Sequence, residues 1–217
     1  MRWYTITDLP DTEPLRLPSV TSILDVTMAQ FRRDTLVRAE MSNPRAYVLN
    51  REAAIARGVA VDRWFKDSLV NGQLLPVPYS VAKLCSRLAP IARGIIATGF
   101  PVFTDELVYS IAGGYAGTLD VVATLPQGSR ALIEIKTSAY TIWPEAVAEA
   151  QLQGAAYFEA WGALYPDRPL DAIATFHVTP YLMHSHVLVT PPAIAAVLKE
   201  WHYRLHRFAS CFSAMEL

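Results

Sequence analysis

The chain has 217 residues, 52% of them hydrophobic and 18% charged, with a formal net charge of −1 and a mean hydropathy of +0.21. That is enough apolar chain for one sizeable core, and it excludes a disordered polymer. Charged residues cut every apolar stretch short of the roughly 18 positions a membrane helix needs, so no span is expected, and the acid-bearing N-terminus MRWYTITDLPDTEP lacks the apolar run of a secretory signal, which points to the cytoplasm.

In chain order, residues 1–17 read as an irregular or extended arm with Trp3 and Tyr4 available as anchors. A short helix starts near Ser19, after Pro18, and runs past Leu24. Asn43-Pro44 places an N-cap and a first-turn proline ahead of a long helical pattern that stops at Asn71-Gly72. Gly58 falls inside that pattern, and because a mid-helix glycine costs about 1 kcal/mol relative to alanine, close approach of another backbone or of substrate is expected there. Ser80 is placed to cap a helix over Val81 to Thr98, which Pro90 should kink or split and Gly99 ends.

A β-like run covers Pro101 to Ile111, Gly113-Gly114 turns the chain into a second run through Asp120, and Pro126-Gln127-Gly128-Ser129 turns it into a third, from Ala131 to Lys136. Pro144 starts a strong helical pattern that ends near Tyr165-Pro166, and its small residues Ala146, Ala150 and Gly154 let it lie close against a sheet. Asp171 to Thr179 and Met183 to Val189 read as two more strands, joined around Pro180-Tyr181. Thr190 then caps a final helix that begins at Pro191-Pro192 and reaches about residue 213. No repeat or linker divides the chain. The expected fold is α/β and a single domain, residues 1–217, with 1–99 a mainly helical lobe and 100–217 an α/β core holding a mixed sheet of about five strands.

The chemistry concentrates between Asp105 and Tyr157. Glu106 opens the first run, Asp120 lies in the second, and Glu134 and Lys136 lie in the third. Glu134 and Lys136, two apart on a strand, share a face at roughly 6 to 7 Å, while Ile133 and Ile135 take the opposite, buried one. Gln153 and Tyr157 stand at i and i+4 on the following helix, one above the other. Carboxylates delivered from separate strands suit an oxygen-ligated cation such as Mg²⁺ or Mn²⁺.

The series of Glu106, the GTLD ending at Asp120, Glu134-Ile135-Lys136 and the Q-x-x-x-Y of Gln153 and Tyr157 resembles the motifs of the PD-(D/E)XK nuclease superfamily, and within it the RecB-like exonucleases. LPSVTSIL at Leu17 to Leu24 and RGVAVD at Arg57 to Asp62 also resemble the front of the group containing phage exonucleases and the mitochondrial genome maintenance exonuclease. The resemblance implies a restriction-endonuclease-like core and a Mg²⁺- or Mn²⁺-dependent DNA exonuclease of phage or prophage type. It implies action on single strands or DNA ends in recombination or repair, beside a single-strand-annealing or recombination partner.

By the same resemblance, Asp120 and Glu134 are cation ligands with the Ile135 carbonyl as a third, and Glu106 serves a second cation or its water. Lys136 orients the attacking water and stabilises charge on phosphorus, while Gln153 and Tyr157 position the phosphate or the lysine. One position departs from the pattern. Many RecB-like nucleases place a metal-ligating histidine where this chain has Asp62, which is either a ligand for a hard cation or a helix-surface partner of Arg63 or Lys66. Two cysteines, Cys85 and Cys211, fall short of the four-cysteine iron–sulfur cluster that some of these nucleases carry, and read instead as small buried residues.

Charge is divided along the chain. Residues 1–104 hold 13 Lys and Arg against 9 Asp and Glu, a net +4, and residues 105–217 hold 6 against 11, a net −5. The bases cluster from Arg32 to Lys66, and Arg45, Arg51, Arg57 and Arg63 are the candidates for tracking DNA phosphates beside an acidic, cation-collecting half. His202 with His206, and His184 with His186, lack an acid or cysteine to complete a zinc set and read as structural. Two other functions stay open: a non-catalytic nucleic-acid-binding or assembly protein on the same fold, and a structure-specific endonuclease. No helix-turn-helix or zinc-finger pattern suggests reading of a DNA sequence.

Overall fold

In the computed structural model, which describes residues 1–7, 9 and 13–213, the elements run β1 (Trp3–Ile6), β2 (Leu15–Pro18), α1 (Val20–Val26), α2 (Gln30–Ser42), α3 (Pro44–Val70) and α4 (Ala82–Thr98). They continue as β3 (Phe103–Thr104), β4 (Leu107–Ser110), β5 (Tyr115–Thr118), β6 (Val121–Thr124), β7 (Arg130–Thr137), α5 (Pro144–Leu164), β8 (Ala172–Val178), β9 (Met183–Leu188) and α6 (Pro191–Ser213). Five strands form a mixed sheet in the order β3-β6-β7-β8-β9, in which only β7 and β8 are parallel. β8 is buried along its whole length and β7 over most of its own, as a parallel pair covered on both faces must be, and both accordingly read as near-continuous apolar runs.

Side-chain alternation sends the two halves of β7 into different cores. Ile133 and Ile135 join Trp64, Phe65, Leu88 and Phe176 under α3 and α4, whereas Leu132 joins Trp161, Trp201 and Ile173 under α1, α5 and α6. The fold is therefore α/β with helices on both faces of a five-stranded mixed sheet.

Local chemistry explains most boundaries. Ser19 caps α1 by accepting from the Ser22 N–H at 3.0 Å, and Asn43 caps α3 by accepting from the Ala46 N–H at 3.0 Å ahead of Pro44. Gly99 ends α4 in the left-handed region at φ 67°.

Several elements differ from expectation or go beyond it. The N-terminal arm is a hairpin, β1 pairing β2, although residues 8 and 10–12 lie outside the described residues. Helix α2 buries no residue, so no apolar stripe announces it. Ser80 does not cap α4: it sits in a 3₁₀ turn over Tyr79–Val81, and Val81 takes the cap position without a side-chain bond. Pro90 does not split α4, which runs on from Ala82 to Thr98 with Pro90 exposed and Leu84, Cys85, Leu88, Ala89, Ala92 and Ile95 holding the other face in the core. Cys85 is buried as expected, but Cys211 is exposed. Among the described residues no helix is long and apolar enough to cross a membrane.

The expected three-strand meander is present with a bend in it. β3-β6 belongs to the main sheet and β4-β5 forms a separate two-stranded ribbon, yet the residue pairing never shifts between them: Thr104 faces Val121 and Leu107 faces Thr118. Two backbone bonds carry it across the break, Asp105 N–H to the Asp120 carbonyl at 3.3 Å and Leu119 N–H to the Glu106 carbonyl at 3.0 Å. Asp105 adopts φ +57° at the corner, so a single hairpin folds away from the sheet there.

The anchor of the α5 side is Trp161. It is fully buried, stacked edge-on to Phe103 at 5.5 Å between centroids, and its Nε1 donates to the Arg168 carbonyl at 2.8 Å. Trp161→Ala should cost about 3–5 kcal/mol. Urea unfolding should show a lower midpoint with little change in slope.

Candidate active site

The bend in the hairpin creates an opening in the sheet. Pairing of β6 with β7 ends at Val121 opposite Ile133, which leaves Glu134, Ile135 and Lys136 without a strand partner along that edge. Asp120, at the corner, fills part of the gap: its Oδ2 accepts the Ile135 N–H at 3.1 Å. Since the N–H and C=O of one strand residue point to the same edge, the Ile135 carbonyl faces the same gap.

Glu134 projects from β7 under α5 and has 0% exposure. Its Oε2 accepts from Lys136 Nζ at 3.0 Å, while Oε1 is buried and finds no partner among the described residues. Lys136 also donates to Gln153 Oε1 at 3.0 Å, and Gln153 Nε2 donates to the Tyr157 hydroxyl at 3.4 Å. The glycine of the GTLD segment exists for this tyrosine: a Cβ on Gly117 would lie 2.5 Å from Tyr157 Cε1 and 2.7 Å from its oxygen. Gly154, similarly, lets α5 lie on Ile173 and Leu132, bringing Gln153 down onto Lys136.

A second group of charges enters from α3. Lys66, only 6% exposed, holds Asp62 Oδ2 at 2.8 Å and Asp105 Oδ1 at 2.7 Å, with Asp120 Oδ1 at 3.7 Å. Asp62 Oδ1 is buried without a hydrogen-bond partner among the described residues. Asp120 thus joins two clusters, the one on β7 and the one around Lys66.

The electrostatics follow from burial. Loss of water, reinforced by the Asp120 carboxylate, pushes Glu134 up to about 8 against the pull of Lys136. Burial would lower both lysines, but Glu134 and Asp120 hold Lys136 above its ordinary range, and Asp120, Asp105 and Asp62 do the same for Lys66. Asp62 is raised by burial and then by Asp120 and Asp105, with Lys66 opposing. Tyr157 is raised well above its ordinary range by burial and by Glu134, so it is a neutral hydroxyl.

Of the residues singled out from sequence, Asp120, Glu134, Ile135, Lys136, Gln153 and Tyr157 come together, and Asp62 joins them through Lys66. The structure pairs Asp62 with Lys66, inside the cluster and not on the helix surface. Glu106 is half-buried next to the corner. Neighbouring residues at a strand end point to opposite sides, and the left-handed corner turns Asp105 toward Lys66 instead. Among the described residues no hydrogen bond or ion pair ties the Glu106 side chain to the site.

The four arginines do not form one surface either. At about 100° per residue, Arg51 falls within about 20° of Asp62 around α3, Arg45 and Arg63 about 100° away, and Arg57 about 140° to the other side. Arg45, Arg51 and Arg63 are exposed, and Arg57 is half-buried.

Asp105 and the neighbouring His177 were not singled out from sequence, and Lys66 was read only as a helix-surface partner of Asp62. His177 on β8 lies in register with Lys136 on one side and His184 on the other, and burial, with His186, Lys136 and His184 adding to it, pushes it down to about 4. It brings a third imidazole to the His184/His186 pair, with ring centroids 6.4 Å from His186 for His177 and 6.2 Å for His184.

Among the described residues no three His, Cys, Asp or Glu side chains are poised to hold one ion in this conformation. The donors do fit a hard divalent cation in kind: the unpartnered Glu134 Oε1, Asp120 and the Ile135 carbonyl are all oxygens, and they face one gap.

No family model and no curated protein matches this chain. Among solved structures, the crystal structure of SSO0001 matches with a TM-score of 0.33 and 15% identity, covering 65% of this chain and 70% of that one. A likeness so loose carries nothing over to this protein.

Two measurements check the site. Gly117→Ala should cost about 1–3 kcal/mol by overpacking against Tyr157. Because the clash needs both side chains, the penalty should largely vanish in a Tyr157→Ala background, and additive losses in a double-mutant cycle would show that the two do not touch. The second is pH. Glu134 keeps its proton up to about 8 when folded but releases it near 4.5 when unfolded, so between those values the unfolded state binds fewer protons and stability falls as pH rises. In EDTA, wild-type stability should therefore decline from about pH 4.5 to 8 relative to Glu134→Gln, and parallel pH profiles would contradict the assignment.

Proposed function

We propose that this chain is a Mg²⁺- or Mn²⁺-dependent deoxyribonuclease that hydrolyses DNA from single-stranded or free ends, of the RecB-like kind its motifs resemble. The observation that carries the reading is Glu134, a fully buried carboxylate whose second oxygen has no partner, beside Asp120 and an open-edged carbonyl. A buried, half-satisfied acid is costly to keep for stability alone, and a role in binding a cation would account for it. With all four acids ionised, Asp62, Asp105, Asp120 and Glu134 pair, among the described residues, with Lys66 and Lys136, which leaves a deficit of two positive charges, the charge of one divalent ion.

Asp120, Glu134 and the Ile135 carbonyl would hold that ion, which supplies Lewis acidity to the scissile phosphate and to its attacking water. The remaining work belongs to the chain. Lys136 is the partly exposed cation of the pair, and its ammonium is aimed by Glu134 on one side and Gln153 on the other. Fixed in that way it meets negative charge growing on phosphorus without reorganising, where such stabilisation is most effective. Tyr157, neutral and packed on Gly117, keeps Gln153 in place and in turn the lysine.

The test is a time course on end-labelled linear DNA and covalently closed circles in Mg²⁺, in Mn²⁺ and in EDTA. Linear DNA should be degraded in either metal, spared in EDTA, and circles left intact. Cutting of circles would replace the exonuclease by an endonuclease, and inert ends in both metals would leave a binding protein. Asp120→Asn and Glu134→Gln should lose metal binding and cleavage together. Lys136→Ala should lose at least about 100-fold in turnover while still binding Mn²⁺ and DNA, and loss of Mn²⁺ affinity in that variant would contradict its role.

A further inference from the structure

We infer that Lys66 stands in the place of a second divalent cation, so that the site takes one ion per chain where its carboxylates could hold two. The inference rests on the proposed cation site of Asp120 and Glu134 and concerns what occupies the other half of it.

Asp62, Asp105 and Asp120 reach the same point from three separate segments, α3 and the two sides of the hairpin corner. The three carboxylates are oxygen donors of the kind a hard cation takes, although in this conformation, closed around the lysine, they are not poised to hold an ion. The position is filled by an ammonium instead, 2.7, 2.8 and 3.7 Å from the three oxygens. An ammonium has three donors and no acceptor, so it satisfies converging acids as a metal would, with one unit of charge in place of two.

Lys66 cannot easily withdraw. Trp64 and Phe65 on the same turn of α3 are buried in the core, and the lysine stem is itself buried. Asp105, the one non-glycine residue with positive φ among those described, is turned toward it from the corner. Asp120 divides between the two positions, with Oδ1 toward Lys66 and Oδ2 on the Ile135 N–H. It is the bridging carboxylate that a pair of cations would share. Removing the lysine charge would leave three acids around an empty position, and a divalent ion would be the group best able to fill it.

The experiment is Mn²⁺ titration of the full chain by calorimetry and by electron paramagnetic resonance, on wild type, Lys66→Met and Lys66→Met with Asp105→Asn. Wild type should bind one Mn²⁺, Lys66→Met two, and the double variant one again, because the new position loses an oxygen. Lys66→Met should also melt at a lower temperature in EDTA and recover in Mn²⁺, a readout independent of cleavage. One ion in both wild type and Lys66→Met, or two in wild type, would overturn the role of Lys66 and leave the nuclease reading standing. No ion in wild type would overturn both. The wild-type count decides between one ion and two even where Lys66→Met does not fold.

Discussion

A carboxylate with no exposed surface and one unsatisfied oxygen is the constraint on which the rest of this site depends. Glu134 is carried into the interior by β7, a strand whose other positions are apolar because both faces of the sheet are covered. Once there it cannot stay ionised and unpaired: it has to find a counter-charge, keep its proton, or bind a cation. Lys136, two residues on and on the same face, supplies the first, and Gln153 prevents the lysine from turning away. The packing of α5 follows from the same need, since only a glycine at 154 lets the helix come close enough for Gln153 to reach.

The second determinant is the bend in the hairpin. A straight ladder would pair the β7 edge through Lys136 and close the gap. Bending at Asp105 and Asp120 leaves that edge open without losing register, and turns the β4-β5 ribbon over α5 so that Gly117 covers Tyr157. The bend and the site are therefore one structure. Asp120 is a site residue because it is a corner residue, freed from the alternation that governs the strands on either side of it.

Most of the fold was legible in the sequence because its signals are local. Asn43-Pro44, Gly99, Gly113-Gly114 and Pro144 mark boundaries by backbone chemistry that tertiary contacts do not override. The fixed spacing of Glu134 and Lys136, and of Gln153 and Tyr157, carried the centre of the site in the same way. What was not legible depends on distant segments. A strand pattern puts Asp105 and Glu106 on opposite faces without saying which face meets α3, and the corner at Asp105, with its positive φ, is where that is decided. Lys66 looks like one more base on a basic helix until α3 is docked and its ammonium meets Asp105, 39 residues away. Helix α2 buries nothing, so it has no apolar face to be read.

The division of charge along the chain has a different meaning in three dimensions. An excess of bases in the first half and of acids in the second suggests a basic surface facing an acidic pocket. In the structure the lysine deepest in the basic half, Lys66, is spent inside the acidic cluster, and the arginines of α3 point in several directions around the helix. The acidic half is thus partly neutralised from within. What remains uncompensated is concentrated at Glu134, whose proton is held by burial and by Asp120. Under the proposed chemistry, ionisation of Glu134 and capture of a divalent ion are one event: the ion is the only partner strong enough to displace that proton, and affinity for it must rise with pH until Glu134 would ionise unaided. The pH response of the site is then set by this single buried carboxylate, not by the surrounding surface charge.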